Sequence, residues 1–177
     1  MEIYVLQCLS GNEDQLRKRL VLAHPELAEH VHIPRRHMKI RKQGRHFTKE
    51  YILFPGYIFL ETEHLEKNYL ESIRTIDSAL RILPDSLHPL PLNRGERELL
   101  SRLLRNGEVL GSSAVQFDTN NRIQVIQGPL EGLEGSIVKV DRRKGRARVR
   151  LDMYDRTFEV DFSFHDMKKQ NSADVQE

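Results

Sequence analysis

The sequence predicts an α+β fold, in which an α/β sandwich with a mostly antiparallel sheet is followed by a small β-barrel. Strand-like and helix-like segments alternate across residues 1–106, a pattern typical of helices packed on a sheet. Residues 107–122 are rich in Gly, Ser and Asn and lack hydrophobic periodicity, which indicates a linker. Short strand-like segments follow in residues 123–169, and a sheet this small buries its apolar face by closing on itself. Residues 170–177 are polar and predict a flexible tail.

The first strand and helix are predicted by β-favouring side chains and a capping residue. Residues 3–9 predict a strand that ends at a Ser-Gly turn. Asn12 then provides an N-cap for a helix that ends before Pro25. The apolar positions of this helix are Leu16, Leu20, Leu22 and Ala23.

A basic hairpin and a buried strand are predicted next. Extended chain restarts at residues 33–34, and residues 38–41 alternate apolar and basic side chains. Extended chain returns at 47–51 after a Lys-Gln-Gly-Arg turn. A Phe-Pro-Gly break precedes residues 57–60, whose apolar run predicts a central, buried strand.

Two further helices flank a strand at residues 79–83. Residues 63–75 carry apolar side chains at helical spacing. Residues 93–106 begin with Asn93 and place Glu96 three positions later, which predicts a capping box. The apolar stripe of this last helix is Leu99, Leu100, Leu103 and Leu104.

The positive charge of the chain is concentrated in two windows. The 177 residues include 28 Lys and Arg against 26 Asp and Glu, a net charge of +2. Half of the basic residues lie in residues 35–49 and 139–150, where Asp141 is the single acid. The sequence therefore predicts two cationic patches on an acidic body. Such patches attract polyanions, although basic clusters also keep surfaces soluble and edge strands unpaired.

Composition and spacing argue against catalysis, metal binding and membrane insertion. No apolar stretch approaches the ~20 residues of a membrane helix. The lone Cys8 cannot form an internal disulfide and fits a reducing cytoplasm, which is the predicted location. His30 and His32 could begin a zinc site, but no cysteine or second histidine pair completes it. Cys8 and Ser10 lack recognisable catalytic partners. We expect a non-enzymatic protein without cofactors or metals.

Motifs in both halves resemble one family. The predicted barrel strands are residues 123–126, 136–140, 147–151 and 157–162. Residues 125–140 resemble the KOW motif, in which Gly128 closes a tight turn and Gly135 lets the next strand approach closely. Residues 4–13 and the Phe-Pro-Gly-Tyr segment resemble the NGN domain of NusG transcription factors. The resemblance covers residues 3 to about 168 and implies an NGN domain at 1–106 and an SH3-like KOW barrel at 123–169.

The resemblance implies a binding site for RNA polymerase. In the family, the segment matching Phe54, Pro55, Gly56 and Tyr57 borders an apolar depression that docks on the clamp helices of the polymerase β′ subunit. Aromatic side chains beside a Pro-Gly break can present rigid apolar area to a partner. The alternative is that Phe54 and Tyr57 fill the core of their own domain.

The second cationic window predicts an RNA-binding surface. Alternation along residues 146–151 places arginines on one outer face of a strand, beside a cationic turn. Guanidinium groups bind phosphates bidentately and stack on unpaired bases. The alternative is that the strand lies at the edge of the sheet and that its charged side chains prevent it from pairing with another chain. The pattern is similar to the LoaP subgroup of specialised NusG paralogues, which bind an RNA hairpin. The predicted RNA-binding residues are Lys139, Arg142, Arg143, Lys144, Arg146, Arg148 and Arg150.

Two further contacts are implied by the family. The hairpin tip would lie near upstream or non-template DNA and contact phosphates through Arg41, Lys42 and Arg45. Arg74 and Thr75 match positions that contact non-template DNA in some members. The loop matching the contact with ribosomal protein S10 contains Met153, Tyr154 and Arg156, and it departs from the family at Tyr154 and Asp155.

The sequence thus predicts a monomeric NusG-like factor that binds RNA polymerase and promotes processive elongation and antitermination. The KOW domain is expected to bind a leader RNA hairpin, which would make the factor operon-specific. Two alternatives stay open: a ribosome-associated KOW protein that binds rRNA, and a housekeeping NusG with protein partners only.

Overall fold

The structure is a computed structural model that describes residues 1–42 and 44–168, apart from the side chains of Arg41, Lys42 and His46. The predicted tail at 170–177 lies outside the described residues. No helix among the residues described is long and apolar enough to cross a membrane. The helices are α1 (Glu13–Ala23), α2 (Lys67–Thr75) and α3 (Arg94–Leu104). The strands are β1 (Glu2–Cys8), β2 (Val31–His32), β3 (Arg35–Lys42), β4 (Arg45–Ile52), β5 (Tyr57–Thr62), β6 (Ala79–Ile82), β7 (Val109–Leu110), β8 (Ser113–Phe117), β9 (Ile123–Gln127), β10 (Ile137–Asp141), β11 (Arg146–Met153) and β12 (Arg156–Asp166).

The chain divides into two compact units. Unit 1 comprises residues 1–34 and 52–101, and unit 2 comprises residues 35–51 and the chain from Arg102 onward. The predicted α+β fold is confirmed. The division differs from the predicted domain boundaries, because the basic hairpin of β3 and β4 groups with unit 2.

Unit 1 is an antiparallel sheet in the order β2-β5-β1-β6 with helices packed on it. In the register of the sheet, Leu6 lies opposite both Ile58 and Ile82. Residues directly opposite one another on neighbouring strands point to the same face of a sheet, so these three residues present one apolar surface. That surface forms a core with Leu16 and Leu20 of α1, and with Tyr69 and Ile73 of α2.

The local signals in unit 1 predicted its helices well. Asn93 and Glu96 form the predicted capping box: the Asn93 N–H donates to the Glu96 carboxylate at 2.9 Å, and the Glu96 N–H donates to Asn93 Oδ1 at 3.0 Å. Two of the predicted apolar positions of α1 were wrong, because Ala23 is exposed and Leu22 is 81% exposed. Leu22 lies two residues after Leu20, and about 200° of rotation takes it to the opposite side of α1. Helix α2 begins at Lys67, four residues later than predicted.

Unit 2 contains a curled five-stranded sheet in the order β10-β11-β12-β8-β9. The four predicted barrel strands are present as β9 to β12. The fifth strand, β8, lies in the segment predicted as a linker, as does β7. Ser113, Val115 and Phe117 are buried at alternate positions of β8, so a period of two was present but obscured by the polar residues between them.

The basic hairpin is part of unit 2 because its backbone is held there. β3 forms a three-stranded sheet with β4 and β7. The Ser163 hydroxyl donates to the carbonyl of His37 at 3.0 Å, and Arg146 donates to the carbonyl of Lys39 at 2.9 Å. The Arg36 guanidinium donates to the carbonyl of Asp161. These contacts join residues more than a hundred positions apart in sequence, which local patterns do not reveal.

The turn after β9 depends on Gly128 and not on Gly135. Gly128 has φ +111°, and a Cβ placed there would lie 2.8 Å from Cα of Ser113. The buried Ser113 hydroxyl in turn accepts the N–H of Leu130 at 3.0 Å. A Cβ at Gly135 would meet nothing within 4 Å. The predicted tight turn at Gly128 is confirmed, whereas the close approach predicted at Gly135 occurs at Gly128.

A buried carboxylate fixes the loop between β4 and β5. Glu13 is 1% exposed and accepts two backbone N–H groups, from Gly11 at 2.7 Å and from Gly56 at 2.7 Å. The Cys8 N–H donates to the carbonyl of Gly56 at 2.8 Å, so both backbone groups of this glycine are held. Gly56 has φ +84°, a conformation that glycine adopts without strain. The position of the Phe-Pro-Gly-Tyr segment therefore depends on Glu13.

We expect Glu13→Gln to lower the free energy of unfolding by about 1–3 kcal/mol, because an amide offers one acceptor oxygen and leaves one buried N–H facing its NH₂ group. Urea unfolding measures the change. The exposed Glu29 provides the control, since Glu29→Gln makes the same chemical change on the surface and should stay within about 0.5 kcal/mol of the parent. Equal stability of the two variants would contradict the role of Glu13.

Gly128→Ala should lower the free energy of unfolding by more than about 2 kcal/mol, through backbone strain and the collision with Ser113. Gly135→Ala is the matched control and should change stability by less than about 0.5 kcal/mol. Thermal unfolding followed by circular dichroism measures both variants. A larger loss of stability for Gly135→Ala than for Gly128→Ala would contradict the close approach of Gly128 to Ser113.

Candidate functional site

The segment predicted to bind polymerase lies at the start of β5 and is largely buried. Phe54 is fully buried and its ring packs edge-on against Phe59, with ring centres 5.5 Å apart. Tyr57 is 3% exposed and Gly56 is also buried, whereas Pro55 is exposed. The side chains of Phe54 and Tyr57 thus occupy the positions expected from the core alternative. Pro55 is the residue of this segment that a partner can reach, and polymerase binding by the segment stays a prediction.

Glu13 is the residue of this region that sequence reasoning missed. Its position in the first turn of α1 is ordinary for an acidic residue, yet it anchors Gly56 from 43 positions away in sequence. Burial and the Glu13 carboxylate raise the pKa of the Cys8 thiol to about 11. Cys8 is therefore a protonated core residue at neutral pH. The sequence shows only that Glu13 follows a Gly-containing turn, and this pattern does not predict that Glu13 accepts a hydrogen bond from Gly56.

The predicted arginine row of β11 is paired with acids of β12. Arg148 lies directly opposite Asp161 and donates to it twice, from Nε at 2.7 Å and from Nη2 at 3.3 Å. Arg150 lies opposite Glu159 and donates to it at 3.1 Å. The hydrogen bond from Arg148 is the largest of the effects that hold the pKa of Asp161 below its usual value. The charges of Arg148 and Arg150 are thus largely balanced within unit 2.

The strand that carries this row is internal. β11 lies between β10 and β12, so the alternative of a guarded edge strand is wrong. Arg146 is half-buried and donates to the carbonyl of Lys39, which gives it a role in holding the hairpin. The assignment of Arg146, Arg148 and Arg150 to RNA binding therefore meets a structural alternative at all three positions.

The turn between β10 and β11 presents cations to solvent. Arg143 and Lys144 in the turn are exposed, as is Lys139 of strand β10. Asp141 Oδ1 accepts the backbone N–H of Lys144 at 2.9 Å, which closes the turn, and this bond lowers the pKa of Asp141. The predicted cationic turn is present, and its backbone is fixed by the acid within it.

Arg142 has a different position from its neighbours. Its guanidinium lies 3.8 Å from the ring centre of Phe117. It donates to Asn121 at 2.8 Å and to Asp166 at 3.2 Å. Arg142 therefore joins the turn to β8, to the β8–β9 connection and to the end of β12. This contact set orients the turn that carries Arg143 and Lys144.

The residues predicted to lie near DNA belong to two different units. The side chains of Arg41 and Lys42 lie outside the described residues, and Arg45 is exposed on the hairpin of unit 2. In unit 1, Arg74 donates to the carbonyl of Ser86 at 2.9 Å. The Thr75 hydroxyl donates to the carbonyl of Ser72 at 2.7 Å. Both side chains have internal partners, and a DNA contact by either stays a prediction.

The loop matched to the ribosomal protein contact is a two-residue turn. Tyr154 and Asp155 have φ +50° and +56°, and the turn connects Met153 to its strand partner Arg156. Two positive φ angles are typical of a type I′ hairpin. Met153 is fully buried, so its side chain is not accessible to a partner protein in this structure. Arg156 is exposed and lies over the ring of Phe158.

The described part of the chain contains no group of three or more His, Cys, Asp or Glu side chains placed to hold a metal ion. The surfaces described above offer hydrogen-bond donors and positive charge, which suit the binding of a polyanion.

Comparison with known proteins identifies the family. Residues 1–101 match the family model described as transcription termination factor nusG. NusG of Haemophilus influenzae is 24% identical over 173 residues, which cover 94% of this chain and 92% of that protein. NusG of Buchnera aphidicola subsp. Baizongia pistaciae is 27% identical over 175 residues, covering 94% of each. A solved structure of Thermotoga maritima NusG has the same fold, with a TM-score of 0.56 and 22% identity over 92% of this chain and 93% of that one. The chain belongs to the NusG family of transcription termination and antitermination proteins.

Proposed function

We propose that this NusG-family protein binds RNA polymerase, promotes processive elongation and antitermination, and acts on particular operons by binding an RNA hairpin. The observation that carries the proposal is the fixed turn between β10 and β11, which exposes Arg143 and Lys144 near the exposed Lys139 of β10. The protein acts without catalysis, in the cytoplasm. An operon-specific role of this kind matches the LoaP-like paralogues.

The RNA contact is assigned to the turn and not to the arginine row. A cation that already pairs with a carboxylate gains little by moving to a phosphate, because the broken pair leaves an unbalanced acid. Arg148 and Arg150 are in that position. Arg143 can neutralise phosphates and release counterions. Lys144 can do the same, because its ammonium lies 4.0 Å from Asp141 Oδ2, beyond hydrogen-bond distance, and its side chain is 54% exposed. The fixed backbone reduces the ordering that binding requires. Arg142 supports this surface through Phe117 and Asn121.

The polymerase contact is assigned to unit 1 around Pro55. The proline ring is rigid, and Glu13 fixes the backbone on its far side through Gly56. A factor bound to the polymerase clamp needs to bind the closed, processive state of the polymerase only a few kcal/mol more tightly than the open state. Each ~1.4 kcal/mol of this preference shifts the equilibrium between the two states tenfold. The exposed Arg45 of the hairpin would add phosphate affinity for nearby DNA.

We expect the double variant Arg143→Gln/Lys144→Gln to bind RNA about tenfold more weakly at low salt and to lower the slope of log K against log salt by about one for each cation. The measurement uses the full chain and an RNA hairpin obtained by selection against it. The control is Arg150→Gln/Glu159→Gln, which removes an ion pair of zero net charge and should leave affinity and slope unchanged. Failure to select any hairpin at low salt would contradict RNA binding and favour a NusG with protein partners.

Pro55→Glu should weaken binding to RNA polymerase about tenfold or more, because it places a charge in the apolar contact without disturbing the core. Truncation of the buried Phe54 or Tyr57 would destabilise unit 1, and a loss of binding could then result from unfolding. Pro55 is the better position because it is exposed. The exposed Pro25 of unit 1 provides the control Pro25→Glu, which should bind polymerase as the parent does. The clamp assignment fails if both variants retain full binding in a pull-down with purified polymerase.

A further inference from the structure

One face of β4 alternates cations with aromatic rings. Side chains two residues apart in a strand point the same way, so Arg45, Phe47, Lys49 and Tyr51 share a face. Phe47 is 49% exposed, and Arg45 and Lys49 on either side of it are also exposed. The result is an exposed aromatic ring between two positive charges.

The inner end of this face is held in place. Tyr51 is half-buried, with the guanidinium of Arg36 at 5.6 Å and the ammonium of Lys49 at 5.2 Å from its ring centre. Arg36 is itself bonded to the carbonyl of Asp161. Phe47 therefore projects from a strand whose base is anchored to unit 2.

The acid of β4 lies on the other face. Glu50 is the single acidic residue between Arg45 and Ile52, and its carboxylate lies 3.4 Å from His37 Nε2. The face that carries Phe47 is consequently positive without an interleaved acid. Positive charge on both sides of an aromatic ring complements a ligand that combines phosphates with flat apolar groups.

We propose that Phe47, with Arg45 and Lys49, forms a stacking site for an unpaired base of a single-stranded nucleic acid. A base in a single strand has a free face that an aromatic ring can cover, whereas bases within a duplex are already stacked on one another. Arg45 and Lys49 contact the phosphates that flank the stacked base. The inference rests on the proposed nucleic-acid role of the hairpin and goes beyond it, because phosphate contact alone needs no aromatic ring.

Phe47→Trp gives a direct test, since the chain contains no tryptophan. The full-length variant is titrated with a 12-nucleotide oligo-dT, a 12-nucleotide oligo-U and a 12-base-pair duplex. We expect the fluorescence of Trp at position 47 to be quenched by a single strand and not by the duplex. The DNA and RNA arms show which sugar the site prefers. Leu22→Trp, on the exposed side of α1, is the control and should not be quenched.

Phe47→Ala measures the contribution of the ring. We expect it to bind the better of the two single strands about tenfold more weakly, with an unchanged salt slope and unchanged affinity for the duplex. Lys49→Gln should instead lower the salt slope. Two results would overturn the stacking site and leave the phosphate contact intact. One is that Phe47→Trp binds a single strand with a normal salt slope but without quenching. The other is that Phe47→Ala binds a single strand with full affinity. Absence of any binding at low salt would overturn both. Arg143→Gln/Lys144→Gln should leave the quenching unchanged, which separates this site from the turn.

Discussion

Asp161 connects the hairpin to the five-stranded sheet within unit 2. Its carboxylate receives two hydrogen bonds from Arg148 across the β11–β12 pair. Its carbonyl accepts a bond from Arg36, which brings strand β3 of the hairpin to the same point. Arg146 adds positive charge near the same carboxylate and donates to the hairpin backbone at Lys39. One acid thus gathers guanidinium groups from two sheets, and without it these groups would lie half-buried with unbalanced charge.

This arrangement divides the basic residues into two functional groups. Arg36, Arg146, Arg148 and Arg150 are committed to contacts inside unit 2, so they contribute to the fold. The other group presents its charge to solvent. It consists of Lys139 on β10, Arg143 and Lys144 in the turn, and Arg45 and Lys49 on the hairpin. A count of basic residues gives the same weight to both groups. The second group is freer to neutralise phosphates and to release counterions when a nucleic acid binds.

Local signals predicted the parts of the structure that local forces determine. The capping box of Asn93 and Glu96 and the short apolar run of β5 depend on residues a few positions apart, and each was found where expected. Contacts set by strand order could not be predicted this way. Whether Arg148 faces solvent or Asp161 depends on which strand lies beside β11, and the importance of Gly128 depends on the approach of Ser113. The linker prediction failed for the same reason, because β8 is stabilised by β9 and β12.

Internal acids neutralise the arginine row, and the pKa of Asp161 in the folded chain reports most directly on that neutralisation. A carbon-detected NMR titration of the Asp161 carboxyl measures that pKa. The hydrogen bond from Arg148 and the nearby guanidinium groups should hold it below the ~3.9 of an unfolded chain. A depressed pKa stabilises the fold above the unfolded value, so this contribution should be lost as the pH falls through the pKa of the folded state. A pKa of Asp161 at or above ~3.9 would contradict the account and return Arg148 to the set of free cations.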